Sequence, residues 1–189
     1  MGYQKINIIT GWITFLIALV VYTLTVEPTA SFWDCGEFIA TSYKLEVPHP
    51  PGAPFFLLMG RMFSLFAGDN VEQVAFWVNM LSVLSAAFTV LFLFWSITHL
   101  AKKMLVKAGD VLNTGQTIAV MGAGLVGGLV CTFSDSIWFS AVEAEVYAMS
   151  SFFTAFVFWA ILKWETINDE SDHNKWLILI AYMMGLSIG

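Results

Sequence analysis

Charged residues are scarce in this sequence. They make up 12% of the 189 residues, against 58% hydrophobic residues, and the mean hydropathy is +0.76. A soluble domain typically has about 25% charged residues, so this deficit excludes most soluble folds. The few basic residues form no lysine- and arginine-rich patch of the kind that binds nucleic acid. The composition therefore predicts an integral membrane protein without a nucleic-acid partner.

Cysteine is also scarce. The two cysteines, Cys35 and Cys131, form no C-x-x-C pair, which argues against a zinc ribbon or a thioredoxin-type site. A disulfide between them would need an oxidising compartment. Buried free cysteine is common, and we adopt that interpretation. The sequence has no internal repeat and no glycine-rich phosphate loop.

Long apolar runs predict an all-α, polytopic bundle of transmembrane helices, because about 20 apolar residues cross a bilayer. The predicted spans are residues 8–26, 75–100, 118–133, 137–162 and 176–189. The last run is too short to span, so we expect residues 1–189 to be the N-terminal part of a longer transmembrane domain. Gly124 and Gly128 form a small-xxx-small pair, which predicts close helix packing.

Residues 54–67 form an apolar segment that is too short to span a membrane. The segment begins with Pro54 and carries Arg61, which is typical of an interfacial or re-entrant helix. If it does not span, Lys44 and Arg61 are the only basic residues on the outer side, and the positive-inside rule places the N-terminus in the cytoplasm. Residues 27–74 then form a long first external loop that contains short helices.

Asp34 and Glu37 in this loop are candidate catalytic residues. They are three positions apart and share a face on a helix, where two carboxylates above a membrane can provide a general base or bind a cation. Apolar neighbours such as Trp33 and Phe38 predict a raised carboxyl pKa. Ser31 and Asp34 also fit a capping box, in which Asp34 would only satisfy backbone donors. That alternative does not explain Glu37.

His49 and Arg61 are candidate phosphate-binding residues. His49 lies among four prolines between positions 48 and 54, a stiff segment with few backbone donors. Arg61 lies about two turns into the following predicted helix. Imidazole and guanidinium groups together can receive a phosphate at the membrane surface. The alternative is that His49 is a loop residue and Arg61 reaches lipid headgroups.

The second external loop contributes three more acids, Asp135, Glu143 and Glu145. Glu143 and Glu145 are predicted at the start of the fourth span, where an ionisable group is costly and faces the bundle interior by default. Two positions on a helix differ by about 200°, so both side chains cannot face one site. Which one does so stays open, as does the alternative that both lie outside the hydrocarbon.

Three motifs give the sequence a resemblance to a known family. They are FWDCGEF at residues 32–38, HPPGAP at residues 49–54 and EVYA at residues 145–148. Together with the long acidic loop after the first span, they resemble the GT-C glycosyltransferases. They are most similar to a bacterial membrane family of formerly unknown function, whose animal relatives are protein O-mannosyltransferases. The first two motifs are specific, and the third is weak alone.

The resemblance implies transfer of a sugar from a polyprenyl-phosphate donor to an acceptor protein or glycan, on the periplasmic side of a bacterial inner membrane. It assigns the first-loop catalytic acid to Asp34 or Glu37 and a second acid to one of the three in the second loop. Some GT-C enzymes use a divalent cation, such as Mg²⁺ or Mn²⁺, and others do not. Asp34, Glu37 and one second-loop acid would supply its oxygen ligands. Residues 54–67 would line a groove for the prenyl tail.

Two other classes of function compete with this interpretation. A transporter would use the acids as ion sites and predicts broken helices and repeated halves. A non-catalytic scaffold of an envelope or secretion assembly predicts that Asp34, Glu37 and His49 tolerate substitution. The long, proline-rich external loop favours the enzyme.

Overall fold

Helices form every regular element in the described part of the chain, which confirms the all-α class. A computed structural model describes residues 2–50, 52–107, 111–167 and 170–188, without the side chains of residues 170 and 171. Pro51 and part of the acidic segment 165–172 lie outside the described residues. The helices are α1 (Tyr3–Thr25), α2 (Cys35–Lys44), α3 (Pro54–Ser64), α4 (Val74–Leu105), α5 (Thr114–Thr132), α6 (Asp135–Ala141), α7 (Val146–Trp164) and α8 (Glu170–Leu186).

Four of these helices, α1, α4, α5 and α7, are long and apolar enough to cross a membrane. The predicted multi-pass bundle is confirmed at this level. The segment Pro54–Ala67 is a shorter apolar helix, made of α3 and a final 3₁₀ turn. Together with α2 it lies in the long connection between α1 and α4, so this connection contains the short helices that the sequence predicted.

The fourth predicted span, residues 137–162, is divided in the structure. The chain leaves the helix after Ala141, and the spanning helix α7 begins only at Val146. The N–H of Glu145 donates to the carbonyl of Glu143 at 2.9 Å, the i→i+2 pattern of a γ-turn. The helical prediction for Glu143 and Glu145 is therefore wrong, because an apolar run alone does not distinguish one helix from two joined by a turn.

Helix α4 is the centre of the bundle, and α1, α3, α5 and α7 all pack against it. The predicted glycine pair allows α5 to approach closely. A Cβ atom on Gly124 would lie 2.6 Å from Thr98 Cγ2 and 2.8 Å from Phe94 Cε2, and one on Gly128 would lie 2.9 Å from Thr14 Cγ2. These distances are shorter than real Cβ contacts, so a side chain at either position would force its neighbours to move.

We expect Gly124→Leu to lower the free energy of unfolding by about 1–3 kcal/mol, the usual cost of overpacking a core. Gly122→Leu is the matched control, because a Cβ at Gly122 has nothing within 4 Å and the helix is the same. Thermal unfolding in detergent would compare the two variants. Equal losses of Tm in both would contradict the close packing described here.

The two ends of the bundle carry different groups. At the C-terminal end of α4, Lys103 pairs with Glu165 at 2.7 Å. Near its N-terminal end, the Asn79 amide donates to the carbonyl of Glu27 at 2.6 Å, and the Glu27 N–H donates to the carbonyl of Val142 at 2.9 Å. The first loop and the α6–α7 connection therefore meet beside Asn79. At a rise of about 1.5 Å per residue, Asn79 is about 36 Å along α4 from Lys103.

Candidate functional site

Asp34 lies directly before α2, as its N-cap residue. Its carboxylate caps no backbone group, and the hydroxyl of Ser31 donates to Glu143 instead. The capping box considered for Ser31 and Asp34 is therefore wrong, because the hydroxyl is used by a residue of the other loop. Among the described residues the Asp34 carboxylate accepts no hydrogen bond, so it is available to a ligand.

Glu37 and His49 form a two-point contact beside Asp34. The backbone N–H of His49 donates to Glu37 Oε1 at 2.7 Å, and His49 Nδ1 lies 2.7 Å from Glu37 Oε2. The other ring nitrogen, Nε2, lies 3.9 Å from Asp34 Oδ2. One ligand atom from each of the three residues lies within 4.8 Å of the others. The structure thus places His49, a candidate phosphate-binding residue, beside Asp34 and Glu37, the two candidate catalytic acids.

This contact moves the pKa values of the two partners in opposite directions. The hydrogen bond from His49 lowers the pKa of Glu37, and the hydrogen bond to Glu37 raises the pKa of His49. The expectation of a raised pKa is therefore wrong for Glu37. The apolar neighbours do not enclose it, since the Trp33 side chain is 87% exposed. Glu37 is an ionised acceptor that orients His49.

The ion pair between Glu37 and His49 should form only over a limited range of pH. The stabilisation from His49 is complete below the imidazole's ordinary pKa of 6.5 and is lost as the pH rises through its raised pKa. The stabilisation from Glu37 is complete above its ordinary pKa of 4.5 and is lost as the pH falls through its lowered pKa. We expect an NMR titration of His49 to give a pKa above 6.5, which falls back in Glu37→Gln.

His173, at the opposite end of the bundle, provides an internal control for this titration because its ring lies against Trp164, remote from Glu37. Its signals should not respond to Glu37→Gln. An unchanged His49 titration in the variant would contradict the pairing with Glu37.

Glu143 and Glu145 reach the first loop from the α6–α7 connection. They are only 5% and 8% exposed. Glu143 accepts the hydrogen bond from Ser31, and Oε1 of Glu145 lies 3.5 Å from Sγ of Cys35. The prediction that the two side chains diverge is wrong, because a γ-turn rather than a helix separates them.

Burial is the main influence on the pKa values of both side chains in the Cys35–Glu145 contact. It raises the pKa of the Glu145 carboxyl, the hydrogen bond from Cys35 partly offsets this shift, and the negative charge of Asp34 adds to it. Burial also raises the pKa of the Cys35 thiol to about 12. The thiol therefore stays protonated at neutral pH and can donate a hydrogen bond to Glu145.

Arg61 and Asp135 lie outside this group of contacts. Arg61 Nη1 donates to the carbonyl of Tyr43 at 2.8 Å, and its guanidinium lies 5.3 Å from the centre of the Tyr43 ring. Arg61 thus holds the last turn of α2, and the described contacts do not join it to His49. Asp135 borders a separate open groove with Trp138 and Phe139. The phosphate-binding role of Arg61 stays a prediction.

A cavity of about 350 Å³ opens beside the Asp34 group. Its polar wall includes Asp34, His49 and Glu145, and its other wall is mainly apolar. The apolar wall comes from α3, α7 and the end of α8 and includes Phe55, Phe56, Met149, Phe153, Leu186 and Ile188. Such a cavity fits a ligand with a polar head and an apolar tail. Sequence reasoning missed the contributions of α7 and α8, because they come from distant parts of the chain.

Comparison with known proteins extends this description. A family model described as the protein O-mannosyl-transferase TMEM260 N-terminal domain matches residues 34–189. The chain is 27% identical over 175 residues to the mouse (Mus musculus) protein O-mannosyl-transferase TMEM260, covering 92% of this chain and 22% of that protein. It is 26% identical over 146 residues to the Dictyostelium discoideum protein O-mannosyl-transferase tmem260, covering 75% of this chain and 15% of that protein.

The chain therefore spans about a fifth or less of the length of these relatives. No solved structure matches it. The family match begins at Asp34 and covers Glu37, His49, Glu143 and Glu145. It confirms the resemblance to the O-mannosyltransferases that the three sequence motifs indicated. This chain belongs to the family of the protein O-mannosyl-transferase TMEM260 N-terminal domain.

Proposed function

We propose that the full-length protein is a GT-C-type membrane glycosyltransferase that moves a mannosyl group from a polyprenyl-phosphate donor to a Ser or Thr hydroxyl of an acceptor protein. The observation that carries the proposal is the Asp34 carboxylate, which accepts no hydrogen bond among the described residues and lies at the polar wall of a cavity whose other wall is apolar. The polar wall suits a sugar phosphate, and the apolar wall suits the first units of a prenyl chain. The relatives are named as protein O-mannosyl-transferases.

Asp34 is the proposed general base. Its carboxylate accepts the proton of the acceptor hydroxyl while the hydroxyl oxygen bonds to the anomeric carbon, and the bond from that carbon to the phosphate oxygen breaks. Polyprenyl phosphate leaves with the bonding electrons. Protonated His49, oriented by Glu37, donates a hydrogen bond to the departing phosphate. Attack opposite the phosphate needs Asp34 and His49 on opposite sides of the anomeric carbon, so donor binding must separate them beyond 3.9 Å.

A divalent cation is the alternative means of neutralising the phosphate. Asp34, Glu37 and His49 offer two carboxylates and an imidazole whose ligand atoms lie within 4.8 Å of one another. This set suits Mn²⁺ better than Mg²⁺, because Mg²⁺ prefers oxygen ligands alone. The described cluster contains His49 in place of the second-loop acid expected from the sequence. When bound, the ion would stabilise negative charge on the phosphate oxygens.

We further propose that the site faces the periplasm of a bacterial inner membrane, with the N-terminus in the cytoplasm. The bacterial membrane is what the resemblance of the three motifs implies. The support for the orientation is the distribution of charge. Lys103 and Glu165 pair at the end of the bundle opposite Asp34, and Lys102 and Lys163 lie near the same helix ends. An excess of lysine marks the cytoplasmic side.

The test uses the full-length protein in nanodiscs with radiolabelled polyprenyl-phosphate-mannose and a membrane extract as acceptor. Label that passes to protein, and is then released from Ser or Thr by β-elimination, would support the proposal. Transfer abolished by EDTA and restored by Mn²⁺ would favour the cation over His49 alone. Failure to label protein from this donor would overturn the proposed reaction and favour the scaffold, whereas solute flux in proteoliposomes without a sugar donor would favour a transporter.

A further inference from the structure

Hydrogen bonds join the start of the first loop, residues 27–35, to the rest of the bundle. The buried Asn79 amide on α4 donates to the carbonyls of Glu27 at 2.6 Å and Thr29 at 3.0 Å. The Glu27 N–H donates to the carbonyl of Val142 at 2.9 Å. These bonds fix the backbone where it leaves α1, against both α4 and the α6–α7 connection.

The side chains of Ser31 and Cys35 form the next two hydrogen bonds along the loop. The Ser31 hydroxyl donates to the Glu143 carboxylate, and the fully buried Cys35 thiol lies 3.5 Å from Glu145 Oε1. The γ-turn directs both glutamates toward this loop. These two hydrogen bonds lie on either side of residues 32–34, whose own side chains make no hydrogen bond among the described residues.

Residues 32–34 adopt a conformation that neighbouring contacts must enforce. Trp33 has a φ of 65°, in the left-handed region that bulky residues rarely adopt. Its side chain and that of Phe32 are 87% and 88% exposed, so their own packing does not hold the turn. Strained backbone persists only where the surrounding structure determines it. The flanking bonds of Ser31 and Cys35 are the contacts placed to do so.

We propose that the pairs Ser31–Glu143 and Cys35–Glu145, together called the loop clamp, hold Asp34 at the cavity. Glu143 and Glu145 are then positioning residues, which act on the reaction through the loop that carries Asp34. The effect on transfer rests on the proposed function, whereas the effect on the loop rests on the contacts alone. Two separate measurements therefore test the clamp.

The first measurement is hydrogen–deuterium exchange of peptides covering residues 31–38 in the full-length protein. Ser31→Ala should raise exchange there by roughly 10-fold, the effect of losing a hydrogen bond to a carboxylate. Cys35→Ala should raise it less, because a thiol is a weak donor. Ser31→Thr and Cys35→Ser keep a donor and should restore protection. The matched control is Ser140→Ala, whose hydroxyl bonds only within α6, to the Ser136 carbonyl at 3.0 Å. Peptides from α4 and α7 report whether each variant is folded.

The second measurement is the kinetics of mannosyl transfer. Ser31→Ala and Glu143→Ala should lower kcat by roughly 10-fold and leave KM for the donor within about twofold, whereas Glu143→Gln keeps an acceptor oxygen for Ser31 and should stay near the wild-type kcat. The reason is that the apolar wall, which would bind the donor, is built by α3, α7 and α8. Ser31→Thr should recover kcat. A role in folding alone would lower the amount of active protein without this dependence on a retained hydroxyl.

Three outcomes would overturn the clamp. One is exchange of residues 31–38 in Ser31→Ala no faster than in the Ser140→Ala control. Another is a lost kcat in Glu143→Gln with unchanged exchange, which would give Glu143 a direct chemical role. The third is faster exchange with normal kcat, which would leave the contacts with the loop but overturn the positioning role of Glu143 and Glu145 in the reaction. If the wild type transfers no mannose, the proposed function fails, and the exchange result alone decides whether the clamp exists.

Discussion

Asp34→Asn should reduce mannosyl transfer by roughly 10²- to 10⁴-fold, the range for loss of a general base. Asparagine keeps the size and the hydrogen-bonding shape of the side chain but cannot accept the hydroxyl proton. The fold should be unaffected, because the carboxylate caps no helix and is 56% exposed. Single-turnover transfer from saturating donor would isolate the chemical step from binding.

Asp172→Asn is the matched control for this substitution. Asp172 pairs with Lys175 at 2.8 Å on α8, a residue that belongs to none of the contacts at the cavity. Its transfer rate should stay within about twofold of the wild type, as is usual for an exposed ion pair. Retained transfer in Asp34→Asn, with loss in Glu145→Gln, would move the base to the second loop.

The features of the fold that the sequence predicted are those encoded locally. Runs of apolar residues predict α1, α4 and α5 because a helix that crosses lipid must be apolar along its whole length. The three-residue spacing of Asp34 and Glu37, and the prolines around His49, likewise mark the first loop as a candidate site without any knowledge of its partners.

The features that the sequence did not predict depend on residues far apart in the chain. Ser31 fits a helix cap locally, yet its hydroxyl bonds to Glu143, 112 positions later. The pKa of Glu37 is lowered by His49, 12 positions later, because a turn returns the proline-rich segment to α2. The turn at Glu143–Glu145 is invisible in an apolar run, and it reverses the conclusion about where the two side chains point. Local spacing therefore identifies candidate site residues, whereas their partners depend on tertiary contacts.

Glu37→Gln and His49→Ala should each lower transfer by roughly 100-fold, the cost of removing one hydrogen-bond donor to a developing oxyanion. The double variant should be no slower than the worse single variant. The reason is that Glu37 acts through His49, whose N–H and Nδ1 both contact its carboxylate at 2.7 Å. Residues that act as one unit give non-additive losses.

Additive losses in this cycle would contradict the orienting role and give Glu37 a function of its own, of which cation binding is the one that the geometry supports. The two explanations differ in their dependence on metal. If Glu37 is a ligand, excess Mn²⁺ should restore much of the activity of Glu37→Gln, because weaker binding is overcome by concentration. If Glu37 only orients His49, added metal cannot replace the lost hydrogen bonds, and the rate of Glu37→Gln should not respond to Mn²⁺.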